Sequence, residues 1–99
     1  MNIQITARKF KAHDTLKNYV RDEVLSLERF SDDILDADII LSYQNQKESE
    51  KIAEVVLKVP GQLLKAEHIS EDFKISIAGA VEKLKRMLKK LKTKRIPHI

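Results

Sequence analysis

The sequence contains no cysteine and no tryptophan, and only two glycines and two prolines among its 99 residues. Without cysteine, disulfide bonds and thiolate chemistry are excluded. With so little glycine, a loop that cradles phosphates is not expected. No apolar run approaches the roughly 18 residues that cross a bilayer, and the first residues alternate in polarity, unlike a signal peptide. We therefore expect one cytoplasmic domain, residues 1–99, with no membrane partner.

Residues that could support catalysis or bind a metal are few and scattered. Of the histidines His13, His68 and His98, only His68 alternates with core-facing residues of a predicted strand, which indicates a packed side chain. Carboxylates cluster at Asp32, Asp33, Asp36 and Asp38. That cluster lacks the glycine and the terminal glutamate of a calcium loop. We predict no enzyme activity, no cofactor, no metal and no small-molecule substrate.

The net charge of +4 is unevenly distributed along the chain. Residues 81–99 hold eight Lys or Arg against one Glu, a net charge of +7, whereas residues 1–80 carry −3. Charge concentrated at one end is typical of a surface that binds a polyanion. The alternative is a solvated charged helix, although surface helices are seldom so one-signed.

Residues 72–92 are predicted to form one long amphipathic helix. Its apolar residues recur at three- and four-residue spacing, at Phe73, Ile77, Ala80, Val81, Leu84, Met87, Leu88 and Leu91. The opposite side is basic, with Lys74, Lys83, Lys85, Arg86, Lys89, Lys90 and Lys92. A helix of this length spans about 30 Å, enough to follow several phosphates. We predict an RNA-facing helix, followed by a tail at residues 93–99.

Alternation and helical spacing predict the remaining elements: a strand at 2–7, a helix at 14–29, and strands at 36–43, 51–59 and 63–69. Asp14 is the predicted N-cap of the first helix, whose outer surface is mixed in sign. Residues 44–50 are predicted to form a hairpin loop, and Pro60-Gly61 a tight turn.

The resulting order, β-α-β-β-β-α, predicts an α+β fold: a four-stranded mixed sheet with two helices packed on one face, similar to double-stranded RNA-binding domains. The other sheet face should be solvated and polar. Its apolar exceptions are Ile40, Ile52 and Val56, interpreted either as scattered surface residues or as a contact for a partner.

Several segments resemble the ribosome hibernation promoting factor family, whose older label is σ-54 modulation protein. The matching segments are Leu16–Val20, Leu25–Phe30, Glu54–Gly61, Ala66-Glu67, Glu71-Asp72 and Glu82–Arg86. Their shared order covers nearly the whole chain. The sequence departs from the family pattern at Lys74 and Ala78, where members often have an aromatic and an acidic residue.

The resemblance implies that the protein binds the small ribosomal subunit and its ribosomal RNA where messenger and transfer RNAs lie, silencing translation in starved or stationary-phase bacteria. It implies RNA-binding residues at Lys17, Arg21, Arg29, Lys83, Arg86, Lys89 and Lys90. The length resembles the short family form, which acts with a ribosome modulation factor to pair ribosomes. Two alternatives stay open: a regulator that binds protein, as the older label suggests, and a generic double-stranded RNA-binding module.

Overall fold

The computed structural model describes residues 1–46 and 49–95. The elements are β1 (Asn2–Ala7), α1 (Asp14–Leu25), β2 (Asp36–Tyr43), β3 (Lys51–Val59), β4 (Gln62–Ser70) and α2 (Phe73–Arg95). Short 3₁₀ turns follow α1 at Ser26–Arg29 and β2 at Gln44–Gln46. Residues 47–48 of the predicted hairpin loop and 96–99 of the predicted tail lie outside the described residues.

The four strands form one mixed sheet in the order β1-β2-β3-β4. β1 pairs with β2 in parallel, and the other neighbours pair antiparallel. A parallel pair cannot be joined by a tight turn, so the chain between β1 and β2 must cross over, and α1 lies in that crossover. The predicted α+β architecture, with its β-α-β-β-β-α order, is confirmed.

The core lies between one face of the sheet and the two helices. Strand alternation places Ala37, Ile39 and Leu41 of β2 and Ala53, Val55 and Leu57 of β3 on that face, all fully buried. The two helices and the 3₁₀ turn after α1 cover them with Val20, Val24, Leu27, Ile77 and Leu84, also fully buried. Burying each of the larger side chains contributes about 1.5–3 kcal/mol, so both helices depend on the sheet for their stability.

α1 begins at Asp14 as predicted, but its end and both ends of α2 differ from the predicted residues. α1 ends at Leu25, and the chain tightens into the 3₁₀ turn, where Ser26 Oγ donates to the Glu23 carbonyl at 2.6 Å. His13 rather than Asp14 is its N-cap residue, and it makes no side-chain capping bond. α2 starts one residue later than predicted, because Asp72 caps it by accepting the Lys74 N–H at 2.8 Å. It continues through Arg95 because no helix breaker precedes Pro97.

A hydrogen-bonded serine pair fixes the start of α2 on the sheet. Ser76 is fully buried, and its hydroxyl donates to the Lys51 carbonyl of β3 at 2.7 Å. The same oxygen lies 2.6 Å from Ser70 Oγ of β4. A buried hydroxyl without partners would cost about 1–3 kcal/mol, so these contacts define where the helix can sit.

α2 passes very close to β4 at Gly79. A Cβ atom at this position would lie 2.5 Å from Cγ of His68, a distance that real Cβ atoms do not show. His68 is half-buried on the helix-facing side of β4, as its alternation predicts. Glycine is therefore the residue that lets the helix rest on the imidazole ring.

The opposite sheet face has no covering layer among the described residues, and we call it the open face. Ile40, Ile52 and Val56 lie there half-buried among polar neighbours rather than fully exposed. The more exposed apolar side chains of the sheet are Leu63 and Ile69 of β4, at 65% and 41%. The apolar character of the open face is therefore greatest at the β4 edge, which the sequence interpretation did not single out.

Candidate nucleic-acid interface

The basic residues of α2 divide into two rows, one on each side of the buried stripe. Successive residues of a helix turn by about 100°, which places the rows on opposite flanks. The cleft row, on the α1 side, consists of Lys74, Lys85 and Lys89. The edge row, on the β4 side, consists of Lys83, Arg86 and Lys90. The sequence predicted one basic surface, but the fold separates it into two.

The cleft row is held by aromatic rings from α1 and the turn that follows it. Nζ of Lys85 and Nζ of Lys89 lie 5.8 and 5.2 Å from the centroid of the Phe30 ring. Nζ of Lys74 lies 5.5 Å from the Tyr19 centroid. An ammonium group within about 6 Å of a ring is attracted to its face. The rings therefore hold several ammonium groups along one cleft between the helices.

The role of Phe30 and Tyr19 in this cleft was missed by sequence analysis. Each ring contacts a lysine on a different helix, so no spacing within one element could reveal the pair. The other three aromatic residues pack together at one end of the core: Phe10, Tyr43 and Phe73 have ring centroids 5.1–5.5 Å apart. The packing of this cluster leaves few rings available for stacking on bases.

Tyr19 has a raised pKa, and its causes show how the cleft is built. Burial is the largest cause and raises the pKa above its ordinary value of 10.0. The Glu23 carboxylate raises the pKa further, by its charge and by accepting the phenol O–H. The charge of Asp72 raises it as well. The phenol therefore stays protonated at neutral pH. The phenol thus lies near two carboxylates, and the Lys74 ammonium group lies against the face of the same ring.

We expect Tyr19 to titrate at a higher pH than an exposed tyrosine, and Glu23→Gln to lower its pKa. Because the folded-state pKa is raised, this group contributes stability below the unfolded pKa, and the contribution is lost as pH rises through the folded pKa. Ultraviolet absorbance of the phenolate measures the titration. A Tyr43→Phe background leaves Tyr19 as the one titrating phenol. An unchanged pKa after Glu23→Gln would contradict the assigned contact.

The predicted residues of the first helix do not all join this cleft. Lys17 is two positions from Tyr19, about 200° around the helix, and therefore faces away from α2. Arg21 is exposed and shares the Lys17 side, since it follows by one turn. Arg29 is exposed immediately before Phe30. The side chain of Lys92 lies outside the described residues.

The edge row extends the basic surface toward the sheet. Nζ of Lys83 donates to the backbone carbonyl of Glu67 in β4 at 2.6 Å. One carboxylate interrupts the basic residues of α2: Glu82 Oε2 lies 3.7 Å from Lys85 Nζ, on the surface. An exposed pair of this kind contributes at most about 1 kcal/mol, so Glu82 only weakly neutralises the cleft row, to which Lys85 belongs.

Charges of the opposite sign lie on the open face. Its charged residues are Asp36, Asp38, Lys58, Glu54, Lys65 and Glu67. Carboxylates exceed lysines there, and one pair is matched, with Lys65 Nζ 3.1 Å from Glu54 Oε2. The basic rows of α2 thus lie on the opposite side of the sheet from this carboxylate-rich face, and α1 beside them is mixed in sign. This arrangement favours a polyanion on the α2 side.

Across residues 1–46 and 49–95, no group of three or more His, Asp or Glu side chains could hold a metal ion. In the same described ranges, no helix is both long and apolar enough to cross a membrane.

The sequence matches the family model described as Sigma 54 modulation protein / S30EA ribosomal protein, and the match covers residues 3–96. The chain belongs to this family. The match includes both helices and all four strands, so the two basic rows and the aromatic residues of the cleft all lie within the family domain.

Curated relatives in the family carry related names. A ribosome hibernation promotion factor of Deinococcus radiodurans is 31% identical over 93 residues, covering 92% of this chain and 49% of the relative. The Bacillus subtilis protein of the same name is 31% identical, with 95% and 50% covered. A ribosome hibernation promoting factor of Azotobacter vinelandii is 32% identical, with 97% and 87% covered. The chain spans about half the length of the first two.

Solved structures share the fold. The N-terminal domain of Thermus thermophilus Protein Y superposes with a TM-score of 0.80 at 28% identity, covering 92% of this chain and 99% of that domain. A ribosomal subunit interface protein from Coxiella burnetii superposes with a TM-score of 0.81 at 25% identity, covering 94% and 99%. The sheet with two helices on one face is therefore the architecture of the family domain.

Proposed function

We propose that this protein is a translation inhibitor of starved or stationary-phase bacteria that binds ribosomal RNA of the small ribosomal subunit, in the channel used by messenger and transfer RNAs. The single observation that carries the proposal is the segregation of charge: a helical face with two basic rows, opposite a carboxylate-rich sheet face. The names of the family relatives support the ribosome as the polyanion.

The inhibition is by occupancy and not by chemistry. Each lysine or arginine that neutralises a phosphate releases condensed counterions, which makes binding favourable and salt-dependent. The cleft row contributes most in this proposal, because its ammonium groups are already held in place by Phe30 and Tyr19 and lose less freedom on binding. Further phosphate contacts come from the edge row and from four other basic residues, Lys17, Arg21, Arg29 and Lys92.

A finer part of the proposal concerns ribosome pairing. The relatives' names support a role in ribosome hibernation, and we propose that this role includes pairing ribosomes together with a ribosome modulation factor. Purified protein and that factor should then convert single ribosomes into dimers in a sucrose gradient. Gradient profiles without dimers would contradict the proposed pairing, but they would not contradict binding to the small subunit.

Co-sedimentation with small ribosomal subunits across a salt series tests the main proposal. If six basic side chains contact phosphates, the logarithm of the binding constant should fall against the logarithm of salt concentration with a slope of roughly −4 to −5. Nuclease digestion of the RNA should release the protein. Binding that resists both salt and nuclease would instead indicate a regulator that docks on protein. Equal affinity for an unrelated RNA duplex would indicate a generic RNA-binding module.

A further inference from the structure

The outer edge of β4 has backbone groups that no strand within residues 1–46 and 49–95 pairs. β4 is the last strand of the sheet order, and its nine residues make it as long as β3. The carbonyls of Glu50 and Lys58 accept hydrogen bonds from the β2 side. The backbone N–H and C=O groups of even-numbered residues in β3 therefore point toward β2, and those of odd-numbered residues point toward β4. The odd-numbered residues of β3 pair with even-numbered residues of β4, whose backbone groups therefore point toward β3.

The odd-numbered residues of β4 therefore direct their N–H and C=O groups outward. They are Leu63, Lys65, Glu67 and Ile69. The contact of Lys83 confirms this direction, because its ammonium group reaches the Glu67 carbonyl from outside the sheet. Lysine at a strand edge discourages indiscriminate pairing. Since Lys83 is exposed, water or another donor can replace its bond at small cost.

Two different walls flank this edge. On the helix side, α2 runs antiparallel to β4, because Gly79 lies over His68 and Lys83 reaches Glu67. The edge row therefore continues through Arg86 and Lys90 toward the start of the strand. On the open-face side, the exposed apolar side chains of Leu63 and Ile69 stand at the two ends of the strand, with Lys65 and Glu67 between them. One wall is basic, and the other offers apolar contacts at its two ends.

We propose that the β4 edge is a docking site for an extended acidic peptide segment of a partner protein, which adds to the sheet as a fifth strand. Side chains of a strand alternate between faces. A segment that alternates carboxylates with apolar residues would place carboxylates against the edge row and apolar residues beside Leu63 and Ile69. Backbone bonds to the edge supply affinity, and the two walls supply the choice of sequence.

A second copy of this chain fits the edge less well. Two β4 strands related by a two-fold axis would bring the edge row of one copy against the edge row of the other, since α2 lies over β4 in both. Like charges facing each other across an interface oppose association. Carboxylates of a peptide reverse the sign of that interaction.

Amide hydrogen exchange followed by NMR tests the proposal with a capped nine-residue peptide of alternating Glu and Val. We expect the amides of Leu63, Lys65, Glu67 and Ile69 to exchange at least about tenfold more slowly with saturating peptide, while the same peptide with Lys in place of Glu binds about tenfold more weakly. Lys65→Pro should abolish the effect, because it removes an outward N–H and leaves the β3 ladder intact. Lys65→Ala is the matched control and should retain it.

Three outcomes would overturn the proposal: no protection at millimolar peptide, equal binding of the Lys–Val peptide, or concentration-dependent protection of the same amides without peptide, which indicates a second copy. Circular dichroism establishes that both Lys65 variants fold. Both should still sediment with small ribosomal subunits, because Lys65 lies outside the two basic rows. Failure at the edge is thereby distinguished from failure of ribosome binding.

Discussion

Replacing Lys85 and Lys89 with glutamate is expected to weaken binding to small ribosomal subunits by roughly 100-fold at physiological salt and to make the log–log salt slope shallower by about 2. The two ammonium groups lie against the same Phe30 ring, so the double replacement removes the positive charge from that part of the cleft. Carboxylates in their place repel the RNA. Co-sedimentation at several salt concentrations measures both quantities.

The control for this variant is the double replacement Lys58→Glu and Lys65→Glu on the open face. It changes the net charge by the same amount, so it separates the position of the charges from their sum. We expect it to bind nearly as the natural protein does. If both double variants weaken binding equally, only the net charge matters and the cleft is not the RNA contact. Circular dichroism and a urea midpoint establish that each variant is folded.

Gly79→Ala is expected to destabilise the protein by about 1–3 kcal/mol, although alanine normally stabilises a helix interior by up to about 1 kcal/mol relative to glycine. The reason is the imidazole of His68, whose Cγ, Cδ2 and Nδ1 atoms all lie within 3 Å of the position a Cβ would take. Because Cγ is held close to the β4 backbone, the ring cannot simply swing away. Urea denaturation measures the free energy of unfolding.

A second background identifies the cause of that loss. In a His68→Ala variant the obstacle is gone, so adding Gly79→Ala should raise the free energy of unfolding by about 0.5–1 kcal/mol relative to His68→Ala. The effect of one substitution thus changes sign with the residue beneath it. If Gly79→Ala destabilises both backgrounds equally, the helix is sensitive at this position for another reason than the imidazole.

Much of the fold follows from local pattern. The alternation of β2 and β3 places their buried residues correctly, and the spacing of Ile77, Ala80 and Leu84 identifies the buried side of α2. Helix ends were less accurate. The change from α-helix to 3₁₀ turn after Leu25 depends on how the chain must approach β2. The spacing of apolar residues along the chain contains no information about that approach.

The candidate site could be located from sequence but not resolved. A count of charges finds the basic segment, because Lys and Arg are concentrated there whatever the fold. The division of this segment into a cleft row and an edge row depends on which groups lie on each side of α2. Tertiary packing alone brings Phe30 and Tyr19 to one side of the helix and the outer edge of β4 to the other. The assignment of RNA-binding residues stays a prediction that the double variants test.

α2 both completes the core and carries most of the positive charge, and this combination affects the order of events during synthesis. Residues 1–72, which the translating ribosome makes first, hold ten Lys or Arg against fourteen carboxylates, a net charge of −4. Until α2 is made, the buried face of β3 and β4 lacks its cover and the chain carries a net negative charge. A nascent chain therefore gains the cover of its core and most of its positive charge from the same segment.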